Sequence, residues 1–363
     1  MKQSTLALAV LAAFSLNHSA FAQSSVQLYG LLDAGVEYVN HASADGGNLA
    51  RVISGGKNTS RWGIRGSEDL GGGLKAVYNL EGGILMDTGG ADGALFKRQA
   101  YVGLEGAYGR LVIGRSFTTT YDLVIKFDPL GFAPNYSWAT TGGATGPSKY
   151  GMTTAFDNMV KYTGKTGGFT YGATVALGER AGNSTDGRKI SLGGSWFGDG
   201  LGLMATCEQI NGITAGGNTA AGTTTVSTTG RDKTTACHAG ADYKTGDWRY
   251  TAGMRNYKLR SATPAVADLR GNTYLGGITR VIDSVTLTGA VYHIDKKNLP
   301  AGQDADPTMF VARAMLALSK RTDLYLSVAH AKASEGQLVG LSRDDAGTGT
   351  TQTGVTAGIQ HRF

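Results

Sequence analysis

The sequence predicts an all-β fold: a 16-stranded antiparallel transmembrane β-barrel. Three observations lead there. Apolar and polar residues alternate with a period of two in segment after segment, the pattern of a sheet with one apolar face. The connections between these segments come in two kinds, short and long, in strict alternation. Helical spacing of apolar residues is nearly missing, and the chain carries 56 Gly against only 6 Pro, with many Thr and Tyr, a composition that favours strands and turns.

The first element is not part of that pattern. Met1 to Ala22 carries Lys2, an apolar run from Leu6 to Leu16 and the small-x-small sequence Ala20-Phe21-Ala22. This reads as a secretory signal peptide over residues 1–22, with a single barrel domain over 23–363. Beyond it, no apolar run approaches the roughly 20 residues that a membrane-spanning helix needs. The first clear hairpin is Ser60 to Gly83. Trp62, Ile64, Leu74, Ala76, Tyr78 and Leu80 fall on one face, and Arg61, Arg65, Lys75, Asn79 and Glu81 on the other.

Seven short turns follow in order, at Glu68 to Gly73, Gly106 to Gly109, Gly164 to Gly168, Phe197 to Gly200, Lys244 to Asp247, Arg280 to Ser284 and Ser319 to Asp323. Between them lie eight long polar connections, near 42–57, 87–95, 117–156, 181–187, 212–230, 261–271, 298–308 and 335–350. Together they join 16 strands, with short turns at one rim and long loops at the other, which is the plan of an outer-membrane barrel.

The later hairpins repeat the alternation. Phe169, Tyr171, Ala173, Val175 and Leu177 share one face, and Trp248, Tyr250, Ala252 and Met254 oppose Arg249, Thr251 and Arg255. No helices exist to cover such faces. A soluble sandwich could bury them sheet on sheet, but its inner residues would be bulkier and its polar face poorer in glycine. The apolar face is read as the lipid face, and closure satisfies every backbone N–H and C=O in a medium without water. Water then lies on the arginine side, inside. Aromatic residues beside the short turns, Phe169, Trp196, Trp248 and Tyr325, fit an interfacial girdle. The formal net charge of +6 comes from basic residues scattered on alternating positions, not from a run, so nucleic acid is not an expected partner.

Several segments together carry a family resemblance: "SSVQLYGLLDAG", "SRWGIRGSEDLGGGLKAVYNLE", "RQAYVGLEGAYGRLVIGRS", "LSKRTDLYLS" and a last strand ending on Phe363. The chain resembles the trimeric general porins of Gram-negative outer membranes, most of all those of beta-proteobacteria. The resemblance implies short periplasmic turns, long extracellular loops, a third loop folded into the lumen and a homotrimer. It implies passive diffusion of small hydrophilic solutes. The expected partners are outer-membrane lipid and lipopolysaccharide, periplasmic chaperones and the barrel insertion machinery, which would read Phe363, together with small anions and hydrophilic solutes. No cofactor is expected.

Residues alone single out the same loop. The 117–156 connection is far longer than the connections of compact domains, and its "FDPLGFAPNYSW" is apolar enough to pack. Its acidic members Asp122 and Asp128 are offset by Lys126 and Lys149. Opposite it, strand parity puts Arg61 and Arg65 in the lumen. Arg98 shares a phase with Ala100, Val102 and Leu104, which would look outward; the resemblance assigns it to the lumen together with Arg61. The resemblance also implies that Arg115 is a wall arginine, Tyr121 a lumen tyrosine, and Lys149 a basic residue after the third loop. Leu31 stands where some relatives carry lysine, which interrupts a full basic ladder. A lumen ring of cations favours anions; the alternative is that the arginines pair with Asp33, Glu37, Glu68, Glu81 or loop carboxylates and brace the wall.

Cys207 and Cys237 lie symmetrically about the loop 212–230. They are either a disulfide, which an oxidising route permits, or two small residues facing lipid. An enzyme is not expected. "TGKT" at Thr163 lacks the first glycine of a phosphate loop, "GGSWFG" misses the nucleophile elbow by one residue, and the histidines show no metal-ligand spacing. Two other functions compete with a general diffusion channel. One is a substrate-selective channel, for which the lumen tyrosines Tyr29 and Tyr121 are few. The other is a plugged structural barrel, which the inward phase of Gly35, Gly63 and Gly83 opposes.

Overall fold

The computed structural model of the chain describes residues 24–140, 153–179, 184–212, 233–260, 268–297, 306–334, 337–342 and 347–363. The expected signal peptide and Lys149 lie outside them. The strands are β1 (Ser25–Val39), β2 (Leu49–Ser54), β3 (Arg61–Gly71), β4 (Leu74–Gly83), β5 (Gln99–Gly106) and β6 (Gly109–Phe117). After a short helix, α1 (Thr119–Val124), come β7 (Ala155–Thr166), β8 (Phe169–Ala176), β9 (Lys189–Gly198), β10 (Leu201–Asn211) and β11 (Lys233–Thr245). The chain ends with β12 (Trp248–Arg260), β13 (Leu269–Ile282), β14 (Val285–Lys297), β15 (Thr308–Ala317), β16 (Thr322–Lys332) and β17 (Thr351–Arg362).

Except for β2 and β3, which both pair with β1, each strand pairs antiparallel with its chain neighbours, and β17 returns to β1, with Leu31 opposite Arg362 and Val39 opposite Gly354. The sheet therefore closes. β2 and β3 occupy one stave, because β2 pairs with the second half of β1 and β3 with the first half. Seventeen segments thus make 16 staves. The sequence reading treats 42–57 as one connection, whereas the chain re-enters the sheet at Leu49 and leaves it again over 55–60. At this break the hydroxyl of Ser60 donates to the Asp33 carbonyl, and the Asn58 N–H donates to the Asp33 carboxylate at 2.8 Å. The break displaces Lys57 inward, where it pairs with Asp323 at 3.1 Å.

All seven short turns fall where the turn signals put them, five of them at glycine. At Asp199-Gly200 both central residues have positive φ, 51° and 80°, as a two-residue turn matching strand twist requires. The outward positions form an apolar band, with Val26 71 % exposed, Val102 62 % and Ile113 58 %. Such a surface is stable against hydrocarbon and costly against water. Phe169, Trp196 and Trp248 belong to that surface; Phe169 and Trp196 pack 6.3 Å apart, and Arg280 lies over the Trp248 ring. Tyr325 does not belong to it. It shares the inward parity of Asp323 and Ser327, is 4 % exposed, and its hydroxyl donates to Asp33 at 2.7 Å. Cys207 and Cys237 are opposite each other on β10 and β11, with Cα atoms 4.0 Å apart and their sulfurs joined.

Candidate pore constriction

The third long loop does not cross the lumen freely; it is fastened along one half of the wall. At its start Thr118 caps α1 by accepting from the Tyr121 N–H at 3.0 Å. The next two residues meet a ladder of inward hydroxyls on β8, β9 and β10. The Thr119 N–H donates to Thr174, 3.1 Å away, and the Thr120 N–H donates to Ser191, 2.8 Å away. The Thr120 hydroxyl also lies 2.9 Å from those of Ser191 and Thr206. Every group in this ladder is buried, so each hydrogen bond replaces one that water could not make.

Beyond α1 the loop follows the wall. Phe127 packs at β11 beside Gly240, and Pro129 lies so close to Gly277 of β13 that a side chain there would overlap it. Asp128 holds the turn. Its carboxylate accepts from the N–H groups of Leu130 and Phe132, from the Ser137 hydroxyl and from the Tyr292 hydroxyl at 2.5 Å. The Leu130 carbonyl accepts two hydrogen bonds from Arg313 at 3.4 Å. Further on, Asn135 donates to Glu37 at 2.7 Å, Tyr136 donates to the same carboxylate at 3.3 Å, and the Trp138 indole donates to the Gly340 carbonyl. Burial, and then the Glu37 charge, hold the Tyr136 phenol well above its ordinary range. It stays neutral and serves as a donor.

The opposite half of the lumen stays open, and the wall arginines project there. Arg98 reaches Glu81 at 2.7 Å, and Tyr29 donates to Glu81 at 2.8 Å and to Asn79 at 2.9 Å. Arg61 donates to the Thr59 carbonyl and lies within electrostatic range of Arg98, Glu81, Tyr29 and Tyr121. Arg65 sits nearer the short turns, held by Gln27 at 2.9 Å and stacked over the Tyr29 ring. On the loop side Tyr121 is stacked on Phe117 at 4.4 Å and edge-on to Phe132 at 5.0 Å. Asp122 forms an ion pair with Lys161 of β7.

The structure thus brings together Arg61, Arg98 and Tyr121, with Arg65 below them, while Asp122 turns to Lys161 on β7. Two further expected members are elsewhere. Asp128 is 1 % exposed and saturated by its own loop and by Tyr292 of β14, so its charge does not face the channel. Arg115 stands opposite Ala100, on the outward parity of Val102 and Ile113, where it pairs with Asp157 across a bulge at Gly114 to Ser116. Arg98 is inward despite its phase because β5 begins only at Gln99; parity does not extend past the strand end. Phe363 lies beside Gly30 at the β1–β17 seam, its backbone N–H bonded to the Gly30 carbonyl at 3.1 Å. Lys57, Lys161 and Arg313, and the hydroxyl ladder, were not legible from parity, because their roles depend on where the loop lies.

This closed barrel, with an inward loop facing wall arginines, can be compared with known proteins. Residues 7–336 match the Gram-negative porin family. The chain belongs to that family. The porin is 34 % identical over its full length, and over the full length of the relative, to outer membrane porin protein 32 of Delftia acidovorans. It is 35 % identical over 60 % of its length, and 55 % of the relative, to an outer membrane porin of Bordetella pertussis. Among solved structures, it superposes on an anion-selective porin from Comamonas acidovorans with a TM-score of 0.78 and 28 % identity, covering 94 % of the porin and 100 % of that chain. A Vibrio cholerae outer-membrane protein, at a TM-score of 0.65 and 17 % identity over 94 % and 98 % of the two chains, shares the fold. The porin is accordingly an outer-membrane multi-pass β-barrel.

Proposed function

We propose that this porin is a general diffusion channel for small hydrophilic solutes and ions with a weak preference for anions, and that it is not an enzyme. The observation that carries the reading is Arg61 and Arg98 on the open wall opposite Tyr121, with Glu81 as the carboxylate paired to Arg98. A low-dielectric lumen lined by a surplus of one sign raises the local concentration of the opposite ion. Glu81 removes part of that surplus, which makes the preference weak. The anion-selective porin of Comamonas acidovorans, 28 % identical, has the same sign of selectivity. The test is the reversal potential of single channels under a KCl gradient. Chloride should carry more current than potassium in the natural protein, and Arg61→Gln with Arg98→Gln should bring the potential close to zero. An unchanged potential would remove the two arginines from the selectivity of the channel.

The proposed assembly is a homotrimer inserted through recognition of Phe363, after removal of residues 1–22; family resemblance supports the first two, and the apolar run with Ala20-Phe21-Ala22 supports the third. The proposed Cys207–Cys237 bond would pin the ends of β10 and β11 on the lipid side without touching the pore.

A further inference from the structure

The cations of the constriction are partly neutralised, and among those below it, where Lys57, Lys161 and Arg249 are paired, several others meet no carboxylate. Between the loop and the short-turn rim are two cavities that share Lys126. One, of about 370 Å³, is lined by Arg110, Lys161 and Lys165 and by the hydroxyls of Thr119, Thr163 and Thr170. The other, of about 470 Å³, is lined by Lys57, Lys244, Arg249 and Arg313. Across both, eight cations face three carboxylates, Asp122, Asp128 and Asp242. Two of these are already engaged, Asp122 with Lys161 and Asp242 with Arg249, and Asp128 is saturated by its own loop. Among the described residues, Arg110, Lys126, Lys165, Lys244 and Arg313 have no carboxylate at ion-pair distance. Lys126 is held at the centre: its carbonyl accepts from Arg249, and its ammonium lies 5.9 Å from the Phe197 ring. Loss of hydration in the lumen, and then the Lys165 ammonium, hold Lys126 below the ordinary ammonium range, with Asp122 opposing them.

We propose that this chamber, on the periplasmic side of the loop, is a binding site for multivalent oxoanions of the polyphosphate type, with Lys126 at its centre. A chloride ion can satisfy one such cation at a time. A chain of phosphoryl groups can span from Lys165 and Arg110 past Lys126 toward Lys244, accepting charge-assisted hydrogen bonds from each and further bonds from the threonine hydroxyls. The site is distinct from the arginine constriction. It rests on the lumen being water-filled, as the channel reading states, and not on the sign of ion selectivity.

The experiment is equilibrium dialysis of the detergent-solubilised, folded porin against inorganic pyrophosphate in 0.1 M KCl, with single-channel conductance measured on the same preparations. Saturable binding is expected, about tenfold weaker in Lys126→Gln and weaker again in Lys126→Gln with Lys244→Gln, as loss of charge-assisted bonds implies. Arg61→Gln with Arg98→Gln should keep the binding while shifting the reversal potential. Lys165→Gln is a further variant should Lys126→Gln not fold. Absence of saturable binding, or binding lost with the two constriction arginines and kept without Lys126, overturns the site. Binding in a protein that shows no conductance steps overturns the channel reading and leaves the site standing.

Discussion

The two halves of the lumen are built from different strands of one antiparallel sheet and differ in what the inward positions carry. On β8 to β10 these positions hold Thr174, Ser191 and Thr206, short hydroxyls that bring the third loop into contact with the wall. On β3, and at the mouth of β5, they hold Arg61, Arg65 and Arg98, long and charged. A short hydroxyl can pair with a backbone N–H at close range. A long, charged arginine offers no such close contact to a backbone N–H. The occupied half therefore answers to stability measurements and the open half to electrical ones.

The largest effect is expected where the loop is held most heavily. Asp128→Ala leaves two backbone N–H groups and the Ser137 and Tyr292 hydroxyls without their acceptor. At about 1–3 kcal/mol for each buried group left unpaired, the loop should detach. Single-channel records should then show larger, noisier conductance while the barrel still resists heat denaturation on gels. Quiet records of natural size would break the assignment of Asp128 to the loop.

Ser191→Ala with Thr206→Ala tests the ladder itself. Each lost hydroxyl should weaken docking of α1 by about 1 kcal/mol, seen as protease cleavage in the loop at a rate several-fold above that of the natural protein. If cleavage does not change, the ladder does not fasten the loop.

In the open half, Glu81→Gln sharpens the comparison. It removes the carboxylate paired with Arg98 and should raise the ratio of chloride to potassium permeability by roughly twofold, opposite in direction to loss of the arginines. A fall in that ratio would contradict the assignment. The same preference should shrink from 0.1 M to 1 M KCl, where the screening length drops from about 10 Å to about 3 Å. Arg65→Gln should do least. Arg65 is exposed and held by a neutral glutamine, so stability should change by less than about 0.5 kcal/mol and the reversal potential should barely move.

The number of staves, their hairpin order, the sites of the seven short turns and the face of most side chains could be read from the sequence by itself. These depend on a period of two and on turn residues such as glycine, aspartate and serine, which are local properties of the chain. What each inward residue meets could not be read in this way. Arg98 precedes its strand, Arg115 sits at a bulge, Asp128 turns into its own loop and Lys57 is pushed inward by a break in a stave. The first two depend on where a strand starts or bulges, and the last two on closure of the barrel and on the path of the third loop, which bring Asp128 to Tyr292 and Lys57 to Asp323 across 164 and 266 residues. Parity assigns a side chain to a face; only the closed structure decides its partner, because the partner comes from a distant strand.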